Sequence, residues 1–417
     1  MKQRLGFPWL LVLALLQGPG PLHALTGPTL PGALEMAGPR RAAFEALLSQ
    51  TPAPLRRSTE FLVAHMPATD LAEVDLGMVA TNTALAHEAM ATAPWASRIP
   101  EEIFLNDILP YACVNEAREN WRPRLREVAL PLVKDCTTPG EAARRLNERL
   151  FPLLKVGYNT KRRRPDQAPL ETMASGMATC TGLSILLADA CRAVGVPARV
   201  VGTPLWANMR GNHTWVEVWD GDWHFLGAAE PDPAGLDRGW FVHDASQAKE
   251  DEPRHAIYAS SFRQTGLSFP LVWARSVQWV PAVNVTARYT PRTPGPSVAA
   301  HHTRLLVKVL DQPAGRRVRA HVFVLDDLDT ARSWTGTSRD ESADLNDILP
   351  VEVPSGRSFR ILATQGWATA ETRIGPVSGK ETVVVLPMAD RRLLAAPSQA
   401  CYQPGTNKPA ARFLPAP

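Results

Sequence analysis

Thr179-Cys180-Thr181-Gly182-Leu183-Ser184-Ile185-Leu186-Leu187-Ala188-Asp189-Ala190-Cys191-Arg192-Ala193-Val194-Gly195-Val196-Pro197-Ala198-Arg199-Val200-Val201 reads as a helix that opens on a cysteine, stops at a glycine and gives way to a strand. Leu183, Leu186, Leu187, Ala190 and Val194 recur at the i, i+3, i+4, i+7 spacing of one buried face. Thr179 stands where a side-chain cap belongs, and Gly195 followed by Pro197 supplies the stop. A thiol in the first turn of a helix lies beside unpaired N–H groups and the positive end of the dipole, and both favour thiolate over thiol. Cys180 is therefore the candidate nucleophile. Cys191 lies about three turns on, roughly 16 Å away at about 1.5 Å per residue. A disulfide to Cys180 is excluded, since its Cα atoms must approach within about 7 Å.

A second stretch, Asn212-His213-Thr214-Trp215-Val216-Glu217-Val218-Trp219-Asp220-Gly221-Asp222-Trp223-His224-Phe225-Leu226, places aromatic and β-branched residues on both sides of Asp220-Gly221. That is a two-residue hairpin signal. Strand alternation puts His213, Trp215, Glu217 and Trp219 on one face and Thr214, Val216 and Val218 on the other. His213 thus begins a strand that can lie beside the head of the cysteine helix.

In order and in spacing, Cys180 with its helix, the run Cys191-Arg192-Ala193-Val194-Gly195-Val196-Pro197-Ala198-Arg199, and His213-Thr214-Trp215-Val216-Glu217-Val218 ahead of Trp223 resemble the transglutaminase-like core. That superfamily has a papain-related fold and includes transglutaminases, cysteine proteases and peptide N-glycanases. The resemblance covers residues 106–241 and is densest over 174–230. It implies that Cys180 attacks a carbonyl, usually an amide, that His213 takes and returns protons, and that an acid holds the imidazole. The backbone N–H of Cys180 is the expected oxyanion donor.

The acid departs from the family pattern. The usual Asp stands four residues after the hairpin tryptophan, where this chain has Gly227. The tract continues Ala228-Ala229-Glu230-Pro231-Asp232, similar to the Asp-Ala-Cys-Glu tract of peptide N-glycanases with its Asp lost and its Glu kept. With a two-residue turn, Trp219 pairs with Asp222 and His213 with Ala228. Glu230 is then the diagonal neighbour of His213, about 7–8 Å away between Cα atoms. Glu230 is the predicted third catalytic residue, ahead of Asp232 or no carboxylate at all.

At 417 residues the chain has room for two or three domains, and its net charge of +4 is small. Lys161-Arg162-Arg163-Arg164 is a solvated loop, because no aromatics interleave it, and no nucleic-acid partner is expected. Lys2 and Arg4, an apolar run from Phe7 to Leu16, and Leu22-His23-Ala24 have the layout of a secretory signal peptide over 1–24. Export to a periplasm, cell surface or medium follows, with no membrane span after cleavage. Of the five cysteines, Cys113 and Cys136 could pair in an oxidising compartment. No Cys/His cluster has zinc spacing, so no metal or cofactor is expected.

The remaining pattern gives an α+β chain. A helical region over 25–100 opens with an extended start at 25–35 and has helices at 42–49, 58–65 and 69–93. The core over 101–290 adds helices at 116–132 and 138–154 ahead of the cysteine helix, and Trp206 stands between groove wall and packing aromatic. A Pro-rich linker over 291–300 leads to an all-β sandwich over 301–390, weakly similar to immunoglobulin- or transthyretin-like modules, and a Pro-rich tail over 391–417. The sandwich shows no catalytic constellation and reads as a binding or spacing module.

The reading that results is an exported cysteine enzyme acting on amides of a protein or peptide substrate through an acyl-thioester. Hydrolysis is favoured over cross-linking, because water is the default acceptor. The loss of Asp at position 227 keeps open a catalytically inactive binding or scaffold protein. An N-glycan-releasing amidase rests on the Ala-Ala-Glu tract alone.

Overall fold

The computed structural model describes residues 28–290, 302–329, 332–379 and 381–390. The signal peptide, the linker and the Pro-rich tail expected from sequence lie outside them.

Helices dominate the first half. Leu30–Met36 forms where an extended start was expected, because Thr29 caps it by accepting from Gly32 N at 3.2 Å and a proline occupies the first turn. Arg41–Gln50 and Ala53–His65 follow. The single helix expected over 69–93 is two, Ala68–Glu73 and Leu76–Thr92. The break comes at Asp75, whose carboxylate accepts from Gly77 N at 2.8 Å and starts a new helix. Phe44, Leu62, Leu71, Val79 and Ile108 form the core of this layer.

The helix expected from Glu116 begins only at Arg122. Glu116 turns back instead and accepts from Cys113 N and Val114 N at 2.5 and 2.8 Å, which holds a loop. Arg122–Val133 and Pro139–Leu154 then pack on the cysteine helix, the second capped by Thr138. The buried Arg122 guanidinium donates to Asn82 Oδ1, Ile108 O and Arg192 O at 2.7 to 2.8 Å, tying the helical layer to the core.

The cysteine helix is Cys180–Ala193, and all of 181–193 is buried. Its single apolar face was an underestimate: the helix runs through the middle of the core, with a sheet on one side and helices on the other. Gly195 ends the segment at φ +77°, where an added Cβ would lie 3.2 Å from Ala89 O. The sheet contains β1 (Ala198–Thr203), β2 (His213–Trp219), β3 (Trp223–Leu226), β4 (Tyr258–Ser260) and β5 (Ala282–Asn284), in the order β3-β2-β1-β4-β5 and antiparallel throughout.

After residue 301 come β6 (His302–Leu310), β7 (His321–Asp326), β8 (Ser333–Thr337), β9 (Leu349–Pro354), β10 (Phe359–Gln365), β11 (Ala368–Ile374) and β12 (Glu381–Pro387). One sheet contains β8-β7-β10-β11 and the other β9-β6-β12, with β6 and β12 parallel. Leu305, Val309, Val322, Phe359 and Ile361 fill the space between them, as the alternating pattern requires.

This sandwich rests on the core by its β8–β9 connection and by β6. Thr160 donates to Ser342 O at 3.0 Å, Asn346 donates to Asn212 O at 2.8 Å, and Lys308 donates to Met209 O at 2.8 Å. Among the described residues no helix is long and apolar enough to cross a membrane.

Candidate active site

Cys180 is the first residue of its helix and is partly exposed to a cavity of about 540 Å³, also lined by Thr160, Asn212, Trp273 and Asp344. The backbone of Thr214, the residue after His213, and the Thr181 side chain both lie close enough to the sulfur to favour its thiolate. Thr181 and Thr214 are joined in turn through their hydroxyls at 3.1 Å. The helix that opens on Cys180 and the strand that opens on His213 therefore meet at their first residues.

His213 is buried among rings. Its imidazole centroid lies 4.7 Å from Trp240, 5.0 Å from Phe241, 5.8 Å from Trp215 and 6.2 Å from Trp206. Its Nε2 has no hydrogen-bond partner among the described residues.

Burial lowers the His213 pKa to about 3, with the Asp344 carboxylate opposing and Arg210 assisting. Burial also pushes the Cys180 thiol up to about 11, helped by Asp344 and opposed by the Thr214 backbone and the Thr181 side chain. Both effects disfavour charge, so near neutral pH the pair is thiol and imidazole. The helix terminus acts in the opposite direction, favouring the thiolate. A helix end favours a charge by about 0.3–1 kcal/mol when exposed, less than the desolvation of a sulfur enclosed on most sides. Thr179 also differs from expectation: it takes the extended backbone of a cap, but its side chain makes no capping bond.

The hairpin register is one residue off the predicted one. Trp219 pairs with Trp223 rather than Asp222, and the ladder ends at Val216 with Leu226. The connection is the three-residue Asp220-Gly221-Asp222, closed by Asp220 N donating to Asp222 O at 2.9 Å. The pairing of His213 with Ala228, from which Glu230 was selected, does not form. Glu230 reaches the site differently. Its Oε2 accepts from Trp240 Nε1 at 2.9 Å, and Trp240 is the ring nearest the imidazole centroid. A Cβ built on Gly227 would collide with that same Glu230 oxygen. The Glu230 carboxylate thus occupies the space where a side chain at 227 would begin, and Trp240 links it to His213. Asp232 accepts from Ala234 N at 2.8 Å in its own turn.

Three residues at the site were not found from sequence. Trp240 lies beyond the hairpin. Tyr158, in the connection before the cysteine helix, donates its hydroxyl to Asp344 Oδ2. Asp344 comes from the sandwich that was expected to carry no part of the site. The acidic run Asp340-Glu341-Ser342-Ala343-Asp344 was the available hint.

Trp206, left between two roles, is a core aromatic, 1% exposed and stacked on Trp215 at 5.9 Å. Glu217 is held by Arg199 at 2.6 Å and accepts from Tyr289 at 2.8 Å. Cys113 and Cys136 are both free thiols, against the pairing considered from sequence. Cys113, Glu116 and Asp189 converge closely enough to suggest a cation site. They do not fit one: Glu116 is occupied by two backbone amides, and Asp189 Oδ1 accepts from Cys113 Sγ at 3.4 Å and lies 3.5 Å from Arg192. The buried Arg192 and Arg122 already supply the positive charge there.

Residues 126–245 match the family model of the transglutaminase-like superfamily, so the chain carries a transglutaminase-like core. No curated protein matches it. Among solved structures it is similar to a proposed cysteine protease from Cytophaga hutchinsonii, at 18% identity and TM-score 0.24, over 28% of this chain and 40% of that one. It is also similar to the red sea bream transglutaminase, at 9% identity and TM-score 0.32, over 71% of this chain and 65% of that one. In each case it spans less than two thirds of the other chain.

Proposed function

We propose that this chain is a cysteine enzyme of acyl transfer, acting on an amide of a protein or peptide. As the Cys180 sulfur adds to the carbonyl carbon, His213 takes the thiol proton, because neither group is charged beforehand. The oxyanion is stabilised by the Cys180 backbone N–H. The imidazolium returns its proton to the departing amine, leaving a thioester. Water then adds with His213 as base, and collapse frees the carboxylic acid and restores the thiol. Glu230 is a positioning residue, acting through Trp240 on the ring it packs against. Hydrolysis is the preferred outcome, because water needs no acceptor site.

The observation that carries this reading is the hydroxyl pair of Thr181 and Thr214 at 3.1 Å, one residue beyond Cys180 and one beyond His213, which sets the histidine strand against the cysteine helix. Its test is incubation with a glutamine-containing peptide, with and without a primary amine. Ammonia with free carboxylate marks hydrolysis, and amine incorporated into the peptide marks cross-linking chemistry. Both must vanish in Cys180→Ala. Products that persist in that variant overturn the proposal.

The unpartnered Nε2 of His213 and the glycine at 227 favour a second reading, a binding protein that retains the fold without catalysis. A Cys180 that never acylates, in a folded protein that binds peptide, supports it. We also read the enzyme as exported, on the pattern over 1–24. Mature N-terminal sequencing after expression in the native cell tests this, and an intact Met1 refutes it.

A further inference from the structure

A second cavity, of about 720 Å³, adjoins the catalytic one, with Asn212, Val272 and Leu345 lining both. At the catalytic end charges are mixed, with Lys161 and Arg162 opposite Glu341 and Asp344. The second cavity is lined by Arg210, Arg254, Arg275 and Lys308 and by no carboxylate. Arg210 is partly neutralised by Asp244 and Glu381 at 3.4 and 3.5 Å. Among the described residues Lys308 donates to the carbonyls of Met209 and Arg210 alone. Arg254 and Arg275 are exposed and have no ion-pair partner among the described residues. The nearby Glu252 is engaged by Lys249 at 2.8 Å.

The wall between these cations is apolar, with Leu205, Leu271 and Val272. Guanidinium forks over apolar surface suit carboxylates carried on a peptide, since each can bind one in a bidentate pair. An extended peptide advances about 3.3 Å per residue, so a chain whose amide reaches Cys180 delivers side chains a few positions away into the second cavity.

We propose that the second cavity is an acidic-peptide subsite, in which Arg254 and Arg275 select substrates bearing aspartate or glutamate a few residues from the reactive amide. The selection of substrates rests on the reading of Cys180 as nucleophile, whereas binding does not, so the two can be tested apart. Fluorescence anisotropy of the full-length Cys180→Ala protein would compare labelled peptides of one length, each with a central glutamine and with glutamates or serines around it. The acidic peptide is expected to bind about tenfold or more tightly at low salt, with the preference falling as salt rises. Arg254→Glu with Arg275→Glu should erase that preference without changing the melting temperature, since both side chains are exposed.

Equal affinity for the two peptides overturns the proposal, as does a preference that survives the double variant. So does a sulfated polysaccharide that binds about tenfold more tightly than the acidic peptide and is lost in the same variant, which would assign the cavity to a different polyanion. If the wild-type chain forms no acyl adduct while the acidic preference persists, the catalytic reading fails and this one stands.

Discussion

Alkylation of Cys180 as a function of pH is the perturbation whose size the site fixes most directly. The thiol is pushed up to about 11 by burial and by Asp344, and burial lowers the His213 pKa to about 3. Between those values the pair does not ionise, and only the thiolate reacts with iodoacetamide. The thiolate fraction is then about one in ten thousand at pH 7 and rises about tenfold per pH unit. The rate of Cys180 modification, read by intact mass and peptide mapping, should therefore increase about a hundredfold from pH 7 to pH 9. Burial raises the thiols of Cys113 and Cys191, so they should not contribute, and a Cys180→Ala control removes the background. A resting thiolate–imidazolium pair would behave otherwise, giving a rate already high at pH 6 and nearly flat to pH 9. A flat profile would refute the claim that desolvation outweighs the helix terminus at this cysteine.

The remaining expectations concern the surroundings of the pair. Asp344→Asn removes a charge that opposes the thiolate, so alkylation at pH 8 should quicken several-fold; an unchanged or slower rate would mean that the sandwich loop does not act on Cys180 electrostatically. Gly227→Asp alone should lower stability, because its side chain starts in the space of Glu230, whereas Gly227→Asp with Glu230→Ala should fold and speed turnover. Equal melting temperatures for the single and double variants would show that the two positions do not compete. Arg122→Met leaves Asn82 and the Ile108 and Arg192 carbonyls without their buried donor, at a cost of about 3 kcal/mol. Thermal unfolding should shift down by roughly 6–12 °C, and a shift under about 2 °C would show that the helical layer does not depend on this residue.

Much of the fold was legible because its signals are local. The helix from Cys180 to its glycine stop, the histidine strand and the alternating strands of the sandwich all declare themselves by period and by punctuation. The cysteine helix concealed its full burial because small residues such as Gly182, Ser184 and Ala188 pack inside as readily as leucine. The hairpin register was lost to a tertiary preference. Trp219 and Trp223 sit opposite one another in an edge-to-face pair at 5.6 Å, and Arg199 lies 3.7 Å from the Trp223 ring. That cross-strand pair outweighs the short turn suggested by Asp220-Gly221. Tyr158, Trp240 and Asp344 were hidden for a different reason. They are brought together from segments more than 80 residues apart, so no window of sequence contains them. The dominance of burial over the helix dipole was equally invisible, since it depends on how completely the sandwich loop and the strand enclose the sulfur.

The central claim is that Cys180 is a nucleophile served by His213. It is tested most directly with p-nitrophenyl acetate, an activated acyl donor that needs no substrate specificity. The account predicts a burst of p-nitrophenolate close to one equivalent of enzyme and an acetyl group mapped to Cys180. The burst should be absent in Cys180→Ala and slowed by about a hundredfold or more in His213→Ala. An acetyl group found elsewhere, or a burst that His213→Ala leaves untouched, would contradict it.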